Sequence, residues 1–270
     1  MSTQIRAVVS DLDGTFWWGR ERLHPSTMVA VEVLQRRKIP LLFATGRRFA
    51  SAHRGLTPLG LTGPTVLLSG AVGADLGTGE EWHRRAFDAE HATTVLASFR
   101  AEGLEPVVYV CDAHVDAVTG PGCSTSGAHL VNLGKPTPTD PRSVIDSGRV
   151  VGFGVCGIDT GLSQATQRIV ASIAQVATGW VGPDHVMGGW TLMVGPTGIS
   201  KVSALQGWCD ARGLAPHHVM AVGDGSNDLE MLDWAGRSVA VRGGAAEQHG
   251  ADHIIDQPQD GGWATLLDLL

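Results

Sequence analysis

Asp11-Leu12-Asp13-Gly14-Thr15 places two carboxylates two residues apart at the end of a short apolar run. In extended backbone that spacing points both acids to one face and Leu12 to the other, so two acids face one cleft. Read blandly, the same segment is a strand-to-turn junction, where Asp and Gly are common. A second acidic cluster, Gly223-Asp224-Gly225-Ser226-Asn227-Asp228, also follows an apolar run and opens a helix. Capping accounts for Ser226 and Asp228, yet glycines on both sides of Asp224 also suit a backbone drawn close to a metal or a phosphate. If Asp11, Asp13, Asp224 and Asp228 converge, like charges about 4 Å apart repel by roughly 4 kcal/mol at an effective dielectric of about 20. A cation must then neutralise them, and an all-oxygen set with no adjacent His or Cys points to Mg2+ completed by water and a substrate phosphate.

Two further features suit an anion beside that ion. Thr45-Gly46 offers a hydroxyl and an unobstructed backbone N–H at the end of a second apolar run, the way loops hold phosphate oxygens. Lys201, in Gly198-Ile199-Ser200-Lys201, opens a helix where a cation opposes the dipole, and such a charge calls for a partner; the bland alternative is an exposed lysine. No H-E-x-x-H zinc pattern occurs among the 11 histidines, and His217-His218 reads as surface.

These residues need a scaffold that brings distant loops together. Residues 5–10, 40–44 and 65–68 are short apolar runs separated by helical segments, the first of them from Pro25 to Lys38. This βαβαβ order predicts a doubly wound parallel sheet, whose ligands bind beyond the carboxyl ends of the strands. The pattern resumes with a helix from Ser200 to Arg212, strands at 219–222, 238–241 and 253–255, and a short helix from Ser226. Between the halves, helices at 88–102 and 161–177 and strands near 106–111, 150–156 and 190–194 read as an inserted α+β domain, with a long loop from Gly120 to Pro141. The boundaries fall at 1–85 and 195–270 for an α/β core and 86–194 for the insertion.

Length and charge narrow the function. A chain of 270 residues with 43% hydrophobic content buries a sizeable core and is long enough for two domains. A net charge of −7 disfavours nucleic-acid binding, which needs basic patches. No run approaches a membrane span or a signal peptide, so the expected location is cytoplasmic. The four cysteines, Cys111, Cys123, Cys156 and Cys209, form no C-x-x-C pair and read as reduced thiols.

Taken in order, Asp11-Leu12-Asp13-Gly14-Thr15, Ala44-Thr45-Gly46-Arg47, Gly198-Ile199-Ser200-Lys201 and Gly223-Asp224-Gly225-Ser226-Asn227-Asp228 resemble the four motifs of the haloacid dehalogenase (HAD) superfamily. The long insertion and Asn227-Asp228-Leu229-Glu230-Met231-Leu232 resemble its Cof-type, type IIB capped phosphatases. The resemblance implies a HAD-like core with a cap that selects the leaving group. It implies Asp11 as the nucleophile that forms an aspartyl-phosphate and Asp13 as general acid and base. It also implies Mg2+ on the side chains of Asp11 and Asp224 and the Asp13 carbonyl, supported by Asn227 and Asp228. Thr45 and Lys201 would bind the transferring phosphoryl oxygens, and Arg47 would support the loop or the substrate. Ser69-Gly70 stands where many relatives have Asn-Gly, which leaves a contact of that loop with substrate or cap open.

The expected activity is a Mg2+-dependent phosphatase acting on a small phosphorylated metabolite, with sugar phosphates the leading class and oligomeric state undetermined. A phosphomutase on sugar phosphates and a non-enzymatic phosphometabolite sensor are the alternatives. Phe16, Trp17 and Trp18 are expected to pack rather than line the cleft. Asp112, His114, Asp116, Asp184, His185 and Trp190 are candidates to read a substrate, but the first three alternate as a solvated strand edge would, and the last three lie near the return to the core.

Overall fold

The computed structural model describes residues 4–110, 116–134, 136, 138–159, 163–183 and 188–270. Cys111, Asp112, His114, Asp184 and His185 lie outside them. The chain divides into two compact units, one of Met1–Gly46, Gly55–His83 and Ser200–Leu270, the other of Arg47–Arg54 and Arg84–Ile199.

The first unit begins with β1 (Ala7–Ser10), α1 (Pro25–Arg36) and β2 (Leu41–Ala44), followed by α2 (Phe49–Leu56), whose first residues group with the second unit. It continues with β3 (Pro64–Leu67), β4 (Val72–Asp75) and β5 (Glu81–Arg84). After the insertion come α7 (Lys201–Asp210), β11 (Val219–Gly223), α8 (Leu229–Trp234), β12 (Arg237–Val241) and β13 (His253–Ile255). Its sheet has the order β13-β12-β11-β1-β2-β3-β4-β5. β1 lies between β11 and β2, parallel to both, with Val9 opposite Ala221 and Leu42.

Alternation along β1 supplies both faces. Ala7 and Val9 join Leu42, Val66, Val202, Leu205, Trp208 and Ala221 in one apolar cluster beneath α7. Ser10 faces the other way, where its hydroxyl accepts a bond from Trp263 Nε1 at 2.9 Å and Phe16 packs edge-on to Phe43 and Trp263. The doubly wound expectation is met, with a correction at one edge. β4 runs antiparallel to β3, Leu67 pairing with Val72, because a turn at 68–70 reverses the chain. The sheet is therefore mixed.

The second unit holds α3 (Ala89–Ala101), β6 (Val107–Val110), β7 (Ala117–Thr119), α4 (Gly127–Asn132), α5 (Arg142–Ile145), β8 (Val150–Ile158), α6 (Ser163–Ile173), β9 (Ala177–Pro183) and β10 (Trp190–Pro196). Its strands form an antiparallel sheet in the order β7-β6-β8-β10-β9. The Asp88 carboxylate caps α3 by accepting from His91 N–H at 2.7 Å. That helix buries Ala92, Val95, Leu96 and Phe99, spaced as one helical face, against Phe153 and Val155 of β8.

Two expectations change here. The stretch from Gly120 to Pro141 is interrupted by α4, which Ser126 caps through His129 N–H. Asp116 is no solvated edge residue: both its oxygens take bonds from the buried Arg48 guanidinium, and Oδ2 also accepts from Ala50 N–H at 3.2 Å. Among the described residues, Cys123, Cys156 and Cys209 form no disulfide. Among the described residues no helix is long and apolar enough to cross a membrane.

Candidate active site

Asp11 follows the last residue of β1, and Asp224 follows the last residue of the neighbouring β11, so the parallel pairing of these strands brings the two acidic segments together. Asp11, Asp224 and Asp228 each place an oxygen within 4.8 Å of the others. Thr15 Oγ donates to Asp224 Oδ1 at 2.8 Å and fixes that carboxylate. Gly14, at φ 89°, passes so close that a Cβ there would lie 2.5 Å from Asp224 Oδ2, which is why the turn after Asp13 needs glycine.

Lys201 stands between two of the acids. Its ammonium donates to Asp11 Oδ1 at 2.5 Å and to Asp228 Oδ1 at 2.6 Å, and the side chain is buried. Asp228 divides its oxygens: Oδ2 accepts from the N–H groups of Asp224 at 3.1 Å and Gly225 at 2.8 Å, closing the turn at 226–228, while Oδ1 meets the lysine. Asp228 thus closes its own turn and also meets the lysine.

Position of the lysine depends on a close approach of two backbones. At Gly70, φ 111°, a Cβ would fall 1.9 Å from the carbonyl oxygen of Ser200, the residue before α7. Gly70 thus lets the amino end of α7 seat against the turn at 68–70, and Lys201 is the first residue of that helix. On the same side, Ser69 N–H donates to Thr45 C=O at 3.0 Å, and Thr45 N–H donates to Val66 C=O at 2.9 Å, tying the loops after β2 and β3 together. Thr45 and Ser69 are buried.

Electrostatics favour a bound cation. Burial pushes the Asp11 carboxyl well above the ordinary carboxylate range; Lys201 pulls it down, and Asp228 and Asp224 push it up again. Burial pulls the Lys201 ammonium down, but Asp11 and Asp228 outweigh it and hold the group above its ordinary value, hence charged. One buried ammonium meets two of three clustered carboxyl groups, and an all-oxygen donor set fits a hard divalent ion.

Asp13 differs from the sequence expectation. Its carboxylate is not one of the three clustered acids; Oδ1 instead accepts from Trp17 Nε1 at 2.9 Å, and Trp17 is fully buried. Phe16 packs as expected, whereas Trp17 both packs and fixes an acid. Sequence reading missed this bond, and the only signal was the tryptophan four residues after Asp13. Asn227 is half-buried between Ser226 and Asp228 in the same turn. Arg47 is half-buried, and the buried arginine is its neighbour Arg48.

A sequence profile of the haloacid dehalogenase-like hydrolases matches residues 8–267. The chain belongs to this family. This haloacid dehalogenase-like hydrolase is 26% identical over 243 residues to the pyridoxal phosphate phosphatase YbhA of Escherichia coli, covering 87% of each chain. It is 28% identical over 269 residues to a phosphoglycolate phosphatase of Halorubrum lacusprofundi, covering 96% of this chain and 95% of that one. Among solved structures, a haloacid dehalogenase-like hydrolase from Bacteroides thetaiotaomicron superposes with a TM-score of 0.80 at 20% identity, covering 98% of this chain and 99% of the other. The hydrolase therefore has a HAD-like core with a separate cap domain. Its aspartate triad supports phosphoric monoester hydrolysis through a phosphoaspartate.

Proposed function

We propose that this hydrolase is a Mg2+-dependent phosphatase that cleaves a small phosphomonoester, with sugar phosphates the first class to test. The observation that carries the reading is the triad of Asp11, Asp224 and Asp228 around the buried Lys201. Relatives that act on pyridoxal phosphate and phosphoglycolate support a compact phosphoester as substrate.

In this reading one Asp11 oxygen attacks phosphorus, the bond from phosphorus to the leaving oxygen breaks, and Asp13 gives that oxygen its proton. Asp13 then takes a proton from water, whose oxygen attacks the aspartyl-phosphate; the bond to Asp11 breaks, releasing inorganic phosphate and restoring both carboxyl groups. Trp17 orients the Asp13 carboxyl for these transfers by donating to its Oδ1. Thr45, Gly46 and Lys201 hold the phosphoryl oxygens, with Lys201 offsetting the charge of Asp11. Ser69, Gly70 and Arg47 shape the substrate loops. Mg2+ would be held by the Asp11 and Asp224 side chains and the Asp13 carbonyl, supported by Asn227 and Asp228, and when bound it would stabilise charge on the transferring group. Residues 86–194 select the leaving group.

A phosphate-release screen over a metabolite panel with Mg2+, with EDTA and with Asp11→Asn tests the proposal. Turnover that requires Mg2+ and disappears in the variant is expected. Activity surviving in Asp11→Asn would refute its role as nucleophile. Metal-dependent binding of panel members with no phosphate released would favour a sensor.

A further inference from the structure

At the amino ends of the strands, opposite the acidic cluster, the first unit has a cavity of about 720 Å³. Arg6 precedes β1, Arg37 and Lys38 follow α1, and Arg212 follows α7; all four line it. The four residues of β1 lie between Arg6 and Asp11, a span of about 16 Å in extended chain. The cavity is thus a separate place in the fold, and its ligand chemistry is independent of the reaction assigned to the other end.

The charge of this cavity is unusual for the chain. Acids outnumber Lys and Arg by 27 to 20, yet four cations meet here, and among the described residues none of the four makes an ion pair. Arg212 is held in place, its guanidinium 4.1 Å from the centroid of the Trp208 ring and donating to Trp208 C=O at 3.2 Å. Ile5, Ile39, Leu214 and Leu270 line the cavity between the charges, and the four charged side chains are exposed.

Lys38 supplies an independent sign. α1 and α7 end in the same way: Ile39 N–H bonds back to Leu34 C=O and Leu214 N–H to Cys209 C=O, each across one left-handed residue. In α7 that residue is Gly213, at φ 61°; in α1 it is Lys38, at φ 56°. Glycine is the default there because a Cβ is strained in this conformation. Helix dipoles favour cations at these ends and account for Arg37 and Arg212. They do not account for Arg6, which precedes a strand, or for accepting strain to keep a lysine.

We propose that the cavity lined by Arg6, Arg37, Lys38 and Arg212 binds a small metabolite bearing two or more phosphate groups, remote from the catalytic end. Guanidinium forks pair with phosphate oxygens two at a time, the four charges match a di- or triphosphate, and the volume lies in the range of small-molecule sites.

Calorimetric titration of the full chain with inorganic tripolyphosphate in EDTA tests this, because without metal the acidic triad repels the probe. One site per chain is expected, at least tenfold weaker in Lys38→Gly and in Arg212→Gln and unchanged in Arg242→Gln, an exposed arginine outside the cavity. Lys38→Gly suits the left-handed backbone, so its melting temperature should not fall, and lost binding then reports the charge. No binding, binding that survives both cavity variants, or an equal loss in Arg242→Gln would overturn the proposal.

Discussion

The Trp17 indole buries its ring and spends its N–H on one oxygen of Asp13. A hydrogen bond to a charged group contributes about 1.5–3 kcal/mol, and here its main effect is orientation. Trp17→Phe should lower kcat about tenfold with KM little changed, and should have no further effect in an Asp13→Asn background; steady-state kinetics on the four proteins of that cycle check this. Asp11 is the opposite case, a residue that the metal-free fold holds at a cost. Burial places its folded pKa above the ordinary value of 3.8. The cost of ionising it is therefore absent below that value, grows as pH rises to the folded pKa and stays constant above it. Asp11→Asn should raise the melting temperature in EDTA at neutral pH, with the advantage shrinking toward pH of about 4. Calorimetry across pH decides, and a lower melting temperature at neutral pH would contradict the assignment.

Elements set what residues can reach. Gly70→Ala forces a Cβ against Ser200 C=O and should displace the start of α7, costing activity on the order of a hundredfold. Gly60→Ala is the control, since its φ is also positive, at 72°, but a Cβ would meet nothing; it should cost stability of about 1 kcal/mol and leave kcat alone. In the second unit, Asp88→Ala removes the cap of α3 and should destabilise by about 1 kcal/mol in urea unfolding. The parallel strands were legible because short β-branched apolar runs such as Ala7–Ser10 are buried on both faces. The edge was not. β4 reads Val-Gly-Ala-Asp and β5 is partly exposed, so neither carries an apolar run, and β9 contains two glycines and a proline. Lys201 could be found as a charge at odds with its helix end, and Asp11, Asp224 and Asp228 as acids clustered after two apolar runs. Trp17 could not, because apolar patterning does not show where an indole N–H points, and Arg48 rather than Arg47 is buried through a bond to Asp116, 68 residues away in sequence.

At the scale of the whole molecule, metal and fold are linked. A ligand that binds only the folded chain stabilises it by about 2.7 kcal/mol at a hundred times its Kd, so Mg2+ should raise the melting temperature of the native protein and have far less effect on Asp224→Asn. Equal shifts in both proteins would remove the ion from the triad. The central claim is that Asp11 itself carries the phosphoryl group, and trapping tests it most directly. Asp13→Asn should still be phosphorylated by p-nitrophenyl phosphate, whose leaving group needs no acid, but should hydrolyse the intermediate slowly. Quenching it during turnover with Mg2+ and reducing with borohydride converts an aspartyl-phosphate to homoserine, which peptide mass mapping locates. Homoserine at position 11 is the predicted result; phosphate release with position 11 still aspartate, or homoserine at another position, would contradict the account.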